Sequence, residues 1–387
     1  MTETIPGSPP PPATPPPELP DPARSRRHTV LAVVVSSIGA LLAVVAVAGF
    51  LIHLPYVIIS PGSATPLDSS VVQIDGATTY PHDGNVVFLT VQVSTHDPNV
   101  WRVVTSWLDP DRDVEDRSAV QGCLSDAQNQ AYNSELMDQS QNDAKYVALT
   151  RLGYQVPSDP PQIRVVEVCQ GAPASGKLQQ GDQILAVDGH DVATARDVGS
   201  SVQAHRPGDH VSVTYDRNGT THTAAVVAGK FTGPKNDPKC DVVHGHTKGT
   251  PCLGLSSQAF TTHQFPINVK INTQLVGGPS AGLAFTLAII DDLTPGSLTG
   301  GKRIAITGTI APDSSVGAVG GVEQKAITAR TNGVQLMIVP KDEVADARRG
   351  AGGVRVVGVD NVDQALAALH AAGGAEVPPA STAAARS

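Results

Sequence analysis

Ser280 is a candidate nucleophile, because the sequence pattern around it changes from that of a strand to that of a helix. Apolar residues alternate over 267–271, as in a strand, and 283–290 carry small and aliphatic side chains at helical spacing. The glycines at 277–278 allow a tight turn, and Pro279 suits the first turn of a helix. A hydroxyl at such a helix N-terminus lies among unpaired backbone amides, whose partial positive charge stabilises an oxyanion.

A nucleophilic serine needs a general base, and the sequence offers two candidates. Lys325 lies about one turn inside a helix that the glycine pair 320–321 predicts to begin. A buried lysine loses its charge near neutral pH, because desolvation disfavours the ammonium form. His370 is the alternative, because residues 278–282 (GPSAG) also fit the G-x-S-x-G turn of α/β-hydrolase esterases. That fold needs an acid and then a histidine after the serine, and His370 is the single histidine there. Lysine is therefore the favoured base.

Three motifs in order resemble the proteolytic domain of the Lon family: 278–282 (GPSAG), 306–308 (ITG) and 320–325 (GGVEQK). In that family the serine is the nucleophile and the lysine is its base. The resemblance implies these roles for Ser280 and Lys325, and it implies that Thr307 of the ITG motif contacts the lysine. It covers about residues 265–342.

Two positions depart from the pattern of ATP-dependent Lon. Gly277 stands where that group has an aspartate, and Thr309 stands where it has a glutamate. These two differences affect what the resemblance implies about the detailed geometry of the site, but they leave the serine and the lysine in place. The structural alternative is that Ser280 only caps a helix and Lys325 is a surface cation.

A second region, residues 161–230, resembles a bacterial PDZ domain. The resemblance is carried by 163–168 (IRVVEV), 171–174 (GAPA) and 178–189 (LQQGDQILAVDG). PDZ domains bind an extended peptide as an added strand, often with its C-terminal carboxylate on backbone amides. The usual carboxylate-binding loop is not visible before Ile163, so peptide ends, internal segments and no ligand all stay open.

The N-terminal part predicts a membrane anchor. Residues 1–23 are proline-rich and predict a disordered segment. Three arginines within 24–27 precede an apolar stretch, 30–59, that exceeds the roughly 20 residues needed to cross a bilayer. The arginines place the N-terminal side in the cytoplasm. A cleavable signal peptide is the alternative, since 46–48 (AVA) has the small-x-small form, but the apolar run continues past it.

Composition narrows the classes of function. A chain of 387 residues predicts two or three domains, and aromatic residues make up 4%, so the core is expected to be aliphatic. The net charge of −9 argues against nucleic acid as a partner.

The four cysteines form an even set, which permits disulfides if most of the chain lies outside the cytoplasm. Cys240 and Cys252 flank a loop rich in Gly, His and Lys, which favours their pairing. Pairing of Cys123 with Cys169 would complete this set, but four cysteines allow three pairings, so the choice among them stays open. The loop 240–246 carries metal-ligand residue types, but its spacing matches no standard zinc module.

Two other enzymatic signals are misleading or absent. Residues 296–303 (GSLTGGKR) nearly spell a P-loop, but Arg303 replaces the Ser or Thr that holds magnesium, and no strand leads into the motif. The sequence therefore predicts no ATPase and no cofactor. No H-E-x-x-H motif occurs, so a zinc peptidase is unsupported.

The predicted fold class is α+β, with an N-terminal transmembrane helix and a PDZ-like β-rich domain inserted in or preceding a Lon-type α/β proteolytic domain. Residues 60–100 are expected to add strands to the protease region, and the polar helical pattern of 114–152 predicts a scaffold helix without chemistry. The predicted boundaries are 1–27 for a Pro-rich tail, 28–59 for the anchor, 60–150 for a β-rich then helical segment, 151–230 for the PDZ domain, 231–260 for a connector, 261–371 for the proteolytic domain and 372–387 for a flexible tail.

From about Pro55 onward the chain resembles the membrane-anchored PDZ–Lon proteins of bacteria. This implies an ATP-independent serine endopeptidase with Ser280, Lys325 and Thr307 in its site. Its implied place is the cell membrane, single-pass, with the N-terminus cytoplasmic and the catalytic region extracytoplasmic. Implied partners are polypeptide substrates, recruited by the PDZ domain, the membrane and, since Lon domains form rings, further copies of the chain. The alternative function is a PDZ peptide-binding adaptor with an inactive protease-like scaffold.

Overall fold

The computed structural model describes residues 22–82, 84–231, 248–273 and 276–377. The chain divides into two compact units. One unit contains the chain up to His53 together with Asn99–Trp101, and the other contains Leu54–Pro98 and everything from Arg102 onward.

The helices and strands of the described residues are numbered in chain order. The helices are α1 (Pro22–Leu51), α2 (Val100–Trp107), α3 (Arg117–Gln121), α4 (Asp126–Arg151), α5 (Ala195–Gln203), α6 (Gly282–Leu293), α7 (Val322–Thr331), α8 (Val344–Ala351) and α9 (Val362–Ala371). The strands are β1 (Tyr56–Pro66), β2 (Val72–Asp75), β3 (Asn85–Val93), β4 (Asp113–Asp116), β5 (Gln162–Val168), β6 (Gln183–Val187), β7 (His190–Asp191), β8 (His210–Arg217), β9 (Thr220–Val227), β10 (Gly229–Lys230), β11 (Pro251–Cys252), β12 (Leu255–Phe260), β13 (Asn268–Ile271), β14 (Arg303–Ile306), β15 (Thr309–Ile310), β16 (Val316–Gly317), β17 (Leu336–Pro340) and β18 (Arg355–Val359).

Helix α1 dominates the first unit. Its segment Val33–Leu51 has 19 residues with a mean hydropathy of 2.5 and is long and apolar enough to cross a membrane. The helix ends at Leu51, before the boundary at Ile59 that the apolar run predicted. Pro55 has no amide hydrogen with which to continue a helix, and Tyr56–Ile59 form the start of β1.

A six-stranded mixed sheet forms the centre of the second unit, in the order β18-β17-β14-β3-β1-β4. Strands β3, β14, β17 and β18 are parallel, whereas β1 is antiparallel to both β3 and β4. Strands from residues 56–116 therefore lie in one sheet with strands from the C-terminal third. Strand β2 pairs separately with β13.

Helices cover both faces of this sheet, which explains the continuous apolar runs in its central strands, 86–89 in β3 and 304–306 in β14. Side chains of one face, including Phe88 and Ile306, pack with α4, α6 and α9 in one cluster. Side chains of the other face, including Val87 and Ala305, pack with α7 and α8 in another. The alternation of neighbouring residues along each strand assigns them to opposite layers.

A second sheet, in the order β12-β5-β6-β8-β9 with β7 paired to β6, contains the region expected to be PDZ-like. Strand β12 is antiparallel to β5 and lies at the edge of this sheet. The predicted connector 231–260 thus differs from the structure, because Leu255–Phe260 is an edge strand. Residues 232–247 lie outside the described residues.

The region of the second sheet, called the module below, is connected to the rest of the chain by two segments that lie side by side. Ser158 and His263 form an isolated bridge, and Ser158 Oγ lies 2.7 Å from His263 Nδ1. Beyond it, the Asp159 amide donates to the Thr262 carbonyl over 2.9 Å. The module is therefore inserted within the protease-like fold rather than placed before it.

A disulfide joins Cys123, which precedes α4, to Cys169, which follows β5. Cys252 is also disulfide-bonded. Cys240, its partner as predicted from the sequence, lies outside the described residues, as do the histidines of that loop. Among the described residues the side chains that could together hold a metal ion are Cys123, Glu167 and Cys169, and the disulfide occupies both sulfurs.

Candidate active site

The Ser280 turn and Lys325 come from opposite sides of the central sheet and meet at the carboxyl end of β14. Helix α6, which follows Ser280, lies in one helical layer, and α7, which carries Lys325, lies in the other. Thr307 follows β14 directly, between the two layers. The carboxyl ends of parallel strands are a common place for sites in such sheets.

Ser280 lies in the turn just before α6. Gly278 has a φ of 89°, which favours glycine, and its amide donates to the Asn133 carbonyl over 2.8 Å. Ala281 is the N-cap residue of α6, and no side chain caps this helix. The Ser280 hydroxyl therefore does not act as a helix cap, which was the structural alternative for this residue.

Backbone amides at this turn are free. Within the described residues, the amides of Ser280 and Ala281 donate to no acceptor, whereas those of Gly282 and Leu283 donate to Pro279 and Gly308. Free amides at a helix N-terminus carry partial positive charge. They form a site that can hold the oxyanion of a tetrahedral intermediate.

Lys325 is a buried lysine rather than a surface cation. It lies in the first turn of α7, and its side chain and backbone together are 2% exposed. Burial lowers the pKa of Lys325 to about 8, although the nearby Glu343 carboxylate acts in the opposite direction. At pH 7 roughly a tenth of such a lysine is neutral and able to accept a proton.

Thr307 connects the lysine to the serine turn. Its side chain is buried, Lys325 Nζ donates to its Oγ1 over 3.4 Å, and Oγ1 donates to the Ser280 carbonyl over 3.1 Å. The Gly308 amide donates to the same carbonyl over 3.0 Å. Among the described residues no hydrogen bond joins the Ser280 hydroxyl to Lys325.

Glu343 is a neighbour of Lys325 that the sequence analysis did not identify. Its carboxylate accepts hydrogen bonds from the Val319 amide, at 3.1 Å to each oxygen. Burial raises the pKa of Glu343, and the charge of Lys325 partly offsets this. It stands 18 residues beyond Lys325, in a single 3₁₀ turn, Lys341–Glu343, and no motif marks it.

Helix α4, which the sequence analysis described as a scaffold without chemistry, supports the Ser280 turn directly. The buried Ser140 donates from Oγ to the Pro279 carbonyl over 2.9 Å. A side chain at Gly282 would come within 2.8 Å of Ser140 Oγ and within 2.7 Å of Ile310. The turn is therefore held closely between α4 and β15.

His370 is not part of this site. It lies on α9, and its Nδ1 is 3.1 Å from the Gly374 carbonyl. Within the described residues it makes no hydrogen bond to Ser280, so the structure does not support the esterase arrangement.

A second candidate site is a groove of about 760 Å³ between α5 and the segment 252–257. Val198 and Val202 of α5 line it together with Leu253 and Leu255. The carbonyls of Leu253 and Gly254 accept hydrogen bonds from the body of the module. Their amides donate to no acceptor in the described part of the chain, so an anion can bind there.

This groove differs in position from the sequence-based expectation. The expected place for a carboxylate-binding loop is before Ile163, but the loop that borders the groove and the edge strand that follows it lie at 252–260, at the C-terminal end of the module. The pattern Leu253-Gly254-Leu255 ahead of an alternating strand was the signal that could have located it.

Comparison with known proteins identifies both regions. Residues 247–369 match the family model of the Lon protease (S16) C-terminal proteolytic domain, and residues 150–227 match the PDZ domain model. This chain joins a PDZ domain to a Lon-type proteolytic domain. The predicted α+β fold class is confirmed, and so are the predicted resemblances to a PDZ domain and to the Lon proteolytic domain.

The curated relatives match the Lon-type domain. The Lon proteases of Phenylobacterium zucineum and Clostridioides difficile are each 34% identical to this chain, over 96 and 92 residues. The matched segments cover 25% and 24% of this chain but only 12% and 11% of those proteins. The chain thus spans a small part of the length of these relatives.

Among solved structures, the PDZ domain of the SdrC-like protein from Listeria monocytogenes is 21% identical, and the match covers 24% of this chain and 85% of that domain. Its TM-score is 0.20, so this likeness carries no argument. The PDZ model match ends before β12, although β12 pairs with β5 of the same sheet and lines the groove. The match to the Lon-type domain begins ahead of β12 and includes it.

Proposed function

We propose that the protein is an ATP-independent serine endopeptidase, with Ser280 as its nucleophile and Lys325 as its general base. The observation that carries this proposal is the buried Lys325, whose pKa is lowered to about 8, linked through one Thr307 hydroxyl to the Ser280 turn of a Lon-type domain. An amine with a pKa of about 8 is partly neutral near pH 7 and can accept the serine proton.

In the proposed first step, neutral Lys325 takes the hydroxyl proton of Ser280 while the serine oxygen attacks the peptide carbonyl carbon. Lys325 Nζ uses an N–H in its hydrogen bond to Thr307, so the lone pair of this nitrogen is available to accept the proton. The transfer requires the Ser280 hydroxyl to come within hydrogen-bonding distance of Lys325 Nζ, which substrate binding favours because catalytic hydrogen bonds are often longer in the apo state. The free amides of Ser280 and Ala281 donate hydrogen bonds to the developing oxyanion.

In the second step, the ammonium of Lys325 returns its proton to the leaving amine, and an acyl-enzyme remains. The neutral Lys325 then removes a proton from water as the water oxygen attacks the ester carbonyl. The resulting ammonium returns this proton to the Ser280 oxygen as the acyl group leaves as a carboxylic acid. No cofactor enters this sequence. Without an unfolding motor, the substrates are segments that are already extended or exposed.

The PDZ groove is proposed to recruit these substrates. The free amides of Leu253 and Gly254 suit a terminal carboxylate, and the apolar lining from α5 suits an apolar last side chain. Peptide pairing along the edge strand β12 supplies the remaining contacts. The proposed ligand is therefore an extended polypeptide with an apolar C-terminal residue.

The proposed location is the cell membrane. Support comes from Val33–Leu51, which is apolar and long enough to cross it, and from the arginines that precede it. The basic side is then cytoplasmic, and the PDZ and Lon-type domains are extracytoplasmic. The disulfides are consistent with that compartment. A homo-oligomer is proposed by analogy with Lon rings.

The decisive experiment measures hydrolysis of casein and a labelled peptide, without ATP, by the full chain in detergent. Ser280→Ala should abolish hydrolysis, and Ser134→Ala, which changes an exposed serine of α4, should leave it intact. Equal hydrolysis by the parent and Ser280→Ala would reject the assignment of the nucleophile.

The alternative function is a PDZ adaptor whose protease-like part is inactive. The absence of a hydrogen bond between the Ser280 hydroxyl and Lys325, among the described residues, favours it. An adaptor would bind C-terminal peptides in the groove and yet hydrolyse nothing, with or without a bound peptide. The same assay, repeated with a PDZ ligand present, separates the two functions.

A further inference from the structure

A second set of hydroxyl, imidazole and carboxylate side chains occurs outside the Ser280 site. Ser158 and His263 form the bridge between the two segments that connect the module, and Ser158 Oγ lies 2.7 Å from His263 Nδ1. The other ring nitrogen, Nε2, lies 3.7 Å from Oδ1 of Asp143, which belongs to α4. The proposed peptidase mechanism uses none of these three side chains.

The imidazole and the carboxylate are buried, whereas the serine is exposed. His263 and Asp143 are 6% and 8% exposed. Ser158 lies in an exposed segment, 157–160. A molecule in solution can therefore reach the serine, while the histidine behind it is sheltered from water.

Two aromatic rings hold the imidazole in place. The Tyr146 ring stacks on His263 with centroids 4.1 Å apart and an angle of 16° between the planes. The Phe265 ring lies at 6.0 Å, tilted by 55°. In this orientation one ring nitrogen faces the serine hydroxyl and the other faces Asp143, which is the order of groups in a Ser-His-Asp triad.

The protonation states suit a base and its charged neighbour. Burial lowers the pKa of His263, although the Asp159 carboxylate acts in the opposite direction, so the imidazole is neutral at pH 8. Burial raises the pKa of Asp143 to about 6, against a hydrogen bond that Gln139 donates to its Oδ1 over 2.7 Å, so this carboxyl group is ionised at pH 8. An imidazolium formed between Ser158 and Asp143 would be stabilised by that carboxylate.

We propose that Ser158, His263 and Asp143 form a second nucleophilic site, which hydrolyses small carboxylic esters independently of Ser280. The Ser158 hydroxyl gives its proton to His263 Nδ1 while its oxygen attacks the ester carbonyl. The alkoxide leaves, takes this proton from the imidazolium and becomes the alcohol, and an acyl-serine remains. His263 then takes a proton from the attacking water and returns it to the serine oxygen as the carboxylic acid is released. Asp143 is a positioning residue that stabilises the imidazolium.

The surroundings of Ser158 supply an oxyanion donor and limit the acyl group. Within the described residues, the Ser158 amide donates to no acceptor, and the amide of a nucleophilic serine can hold the oxyanion. The flanking residues Pro157, Asp159 and Pro160 are all exposed. A long acyl chain would find no enclosure on such an open surface, so the proposed substrates carry a small acyl group.

The first test uses the full chain in detergent with Ser280→Ala, which removes the proposed peptidase nucleophile. A fluorophosphonate, whose phosphorus exchanges fluoride for a serine oxygen, is added at pH 8, and mass spectrometry locates and times the labelling. We expect label on Ser158, and labelling about 100-fold slower when His263→Gln is added. An unlabelled Ser158, or equal rates with and without His263→Gln, would overturn the proposal.

The second test measures turnover of p-nitrophenyl acetate in the same Ser280→Ala background. Ser158→Ala changes an exposed position and should abolish enzymatic hydrolysis, whereas Ser134→Ala should leave it intact. Asp143→Asn should lower kcat about tenfold or more with KM unchanged, because Asp143 does not touch the ester. Ester hydrolysis that survives Ser158→Ala rejects the second site.

The two nucleophiles fail separately. Casein hydrolysis by Ser158→Ala, with Ser280 intact, reports on the proposed peptidase alone and should equal that of the parent. Loss of both casein and ester hydrolysis in this variant would show that Ser158 supports the fold rather than a site of its own, which also overturns the proposal.

Discussion

Lys325 donates to Thr307 over 3.4 Å, and the same threonine hydroxyl donates to the Ser280 carbonyl. One hydroxyl at the end of β14 thereby links the Lys325 amine to the serine turn. The link passes through the backbone of Ser280 and leaves its hydroxyl free to meet a substrate. Thr307 is thus proposed to position the base rather than to react.

Thr307→Val keeps the shape of the side chain and removes the hydroxyl. We expect kcat to fall about 100-fold with little change in KM, because Lys325 loses its partner and the serine turn loses one of two bonds. Thr307→Ser restores the hydroxyl and should recover most of the rate. Steady-state hydrolysis of a labelled peptide measures both, and a Val variant as active as the Ser variant would contradict this role.

The local structure around Ser280, Thr307 and Lys325 could be predicted because each belongs to a short motif at the end of a strand or the start of a helix. Glu343 could not, since only the tertiary fold brings its carboxylate beside the Val319 amide and Lys325. Ser140 gave no signal either, because a serine in a polar helix looks the same whether it faces solvent or the Pro279 carbonyl.

Hydrolysis should rise with pH as Lys325 loses its proton, with an apparent pKa near 8. Glu343→Gln removes the carboxylate that favours the ammonium form, so the pKa of Lys325 falls further and the rise moves to lower pH. The pH profile of kcat measures the shift. Asp342→Asn, the exposed neighbour, is the matched control and should leave the profile in place. A profile identical in Glu343→Gln would show that the two groups are not coupled.

Lys325 is also expected to reduce the stability of the fold. Its pKa is lowered from 10.5 to about 8, which corresponds to about 3 kcal/mol against the folded state when the lysine is protonated. Below pH 8 this penalty is fully present. Between pH 8 and 10.5 the unfolded chain binds a proton that the folded chain does not, so stability rises with pH.

Lys325→Met should therefore be inactive yet unfold at a higher temperature than the parent at pH 7, and the difference should shrink above pH 10. Thermal unfolding at both pH values measures this. Lys270→Met, at an exposed position of β13, serves as the control and should change little. Equal melting temperatures at pH 7 would show that Lys325 is solvated in solution.

Longer-range features were less predictable than the motifs. The apolar run that predicted a membrane helix continued to Ile59, but Tyr56–Ile59 pair with β4 and leave the helix. Leu255–Phe260 looked like part of a connector because its partner, β5, precedes it by some 90 residues. Strand pairing at such separations depends on the whole fold, and local patterns do not encode it.

Ser140→Ala removes the hydroxyl that α4 directs at the serine turn. We expect kcat to fall about tenfold while KM and the melting temperature change little, because the Pro279 carbonyl loses its partner and the turn becomes less fixed. Ser134→Ala, on the exposed side of the same helix, is the control. If both variants hydrolyse the peptide at the parental rate, α4 only supports the fold.

The PDZ groove can be blocked without disturbing its walls. Gly199 lies on α5 in the lining, and a Cβ added there meets no atom within 4 Å. Gly199→Leu should fold normally, fill the groove, and weaken binding of a labelled peptide with an apolar C-terminal residue by about tenfold or more. Fluorescence anisotropy measures this.

The same peptide with an amidated C-terminus should bind the parent poorly, because it lacks the terminal carboxylate to which the amides of Leu253 and Gly254 would donate. Equal binding of the acid and amide forms would instead indicate recognition of internal segments along β12.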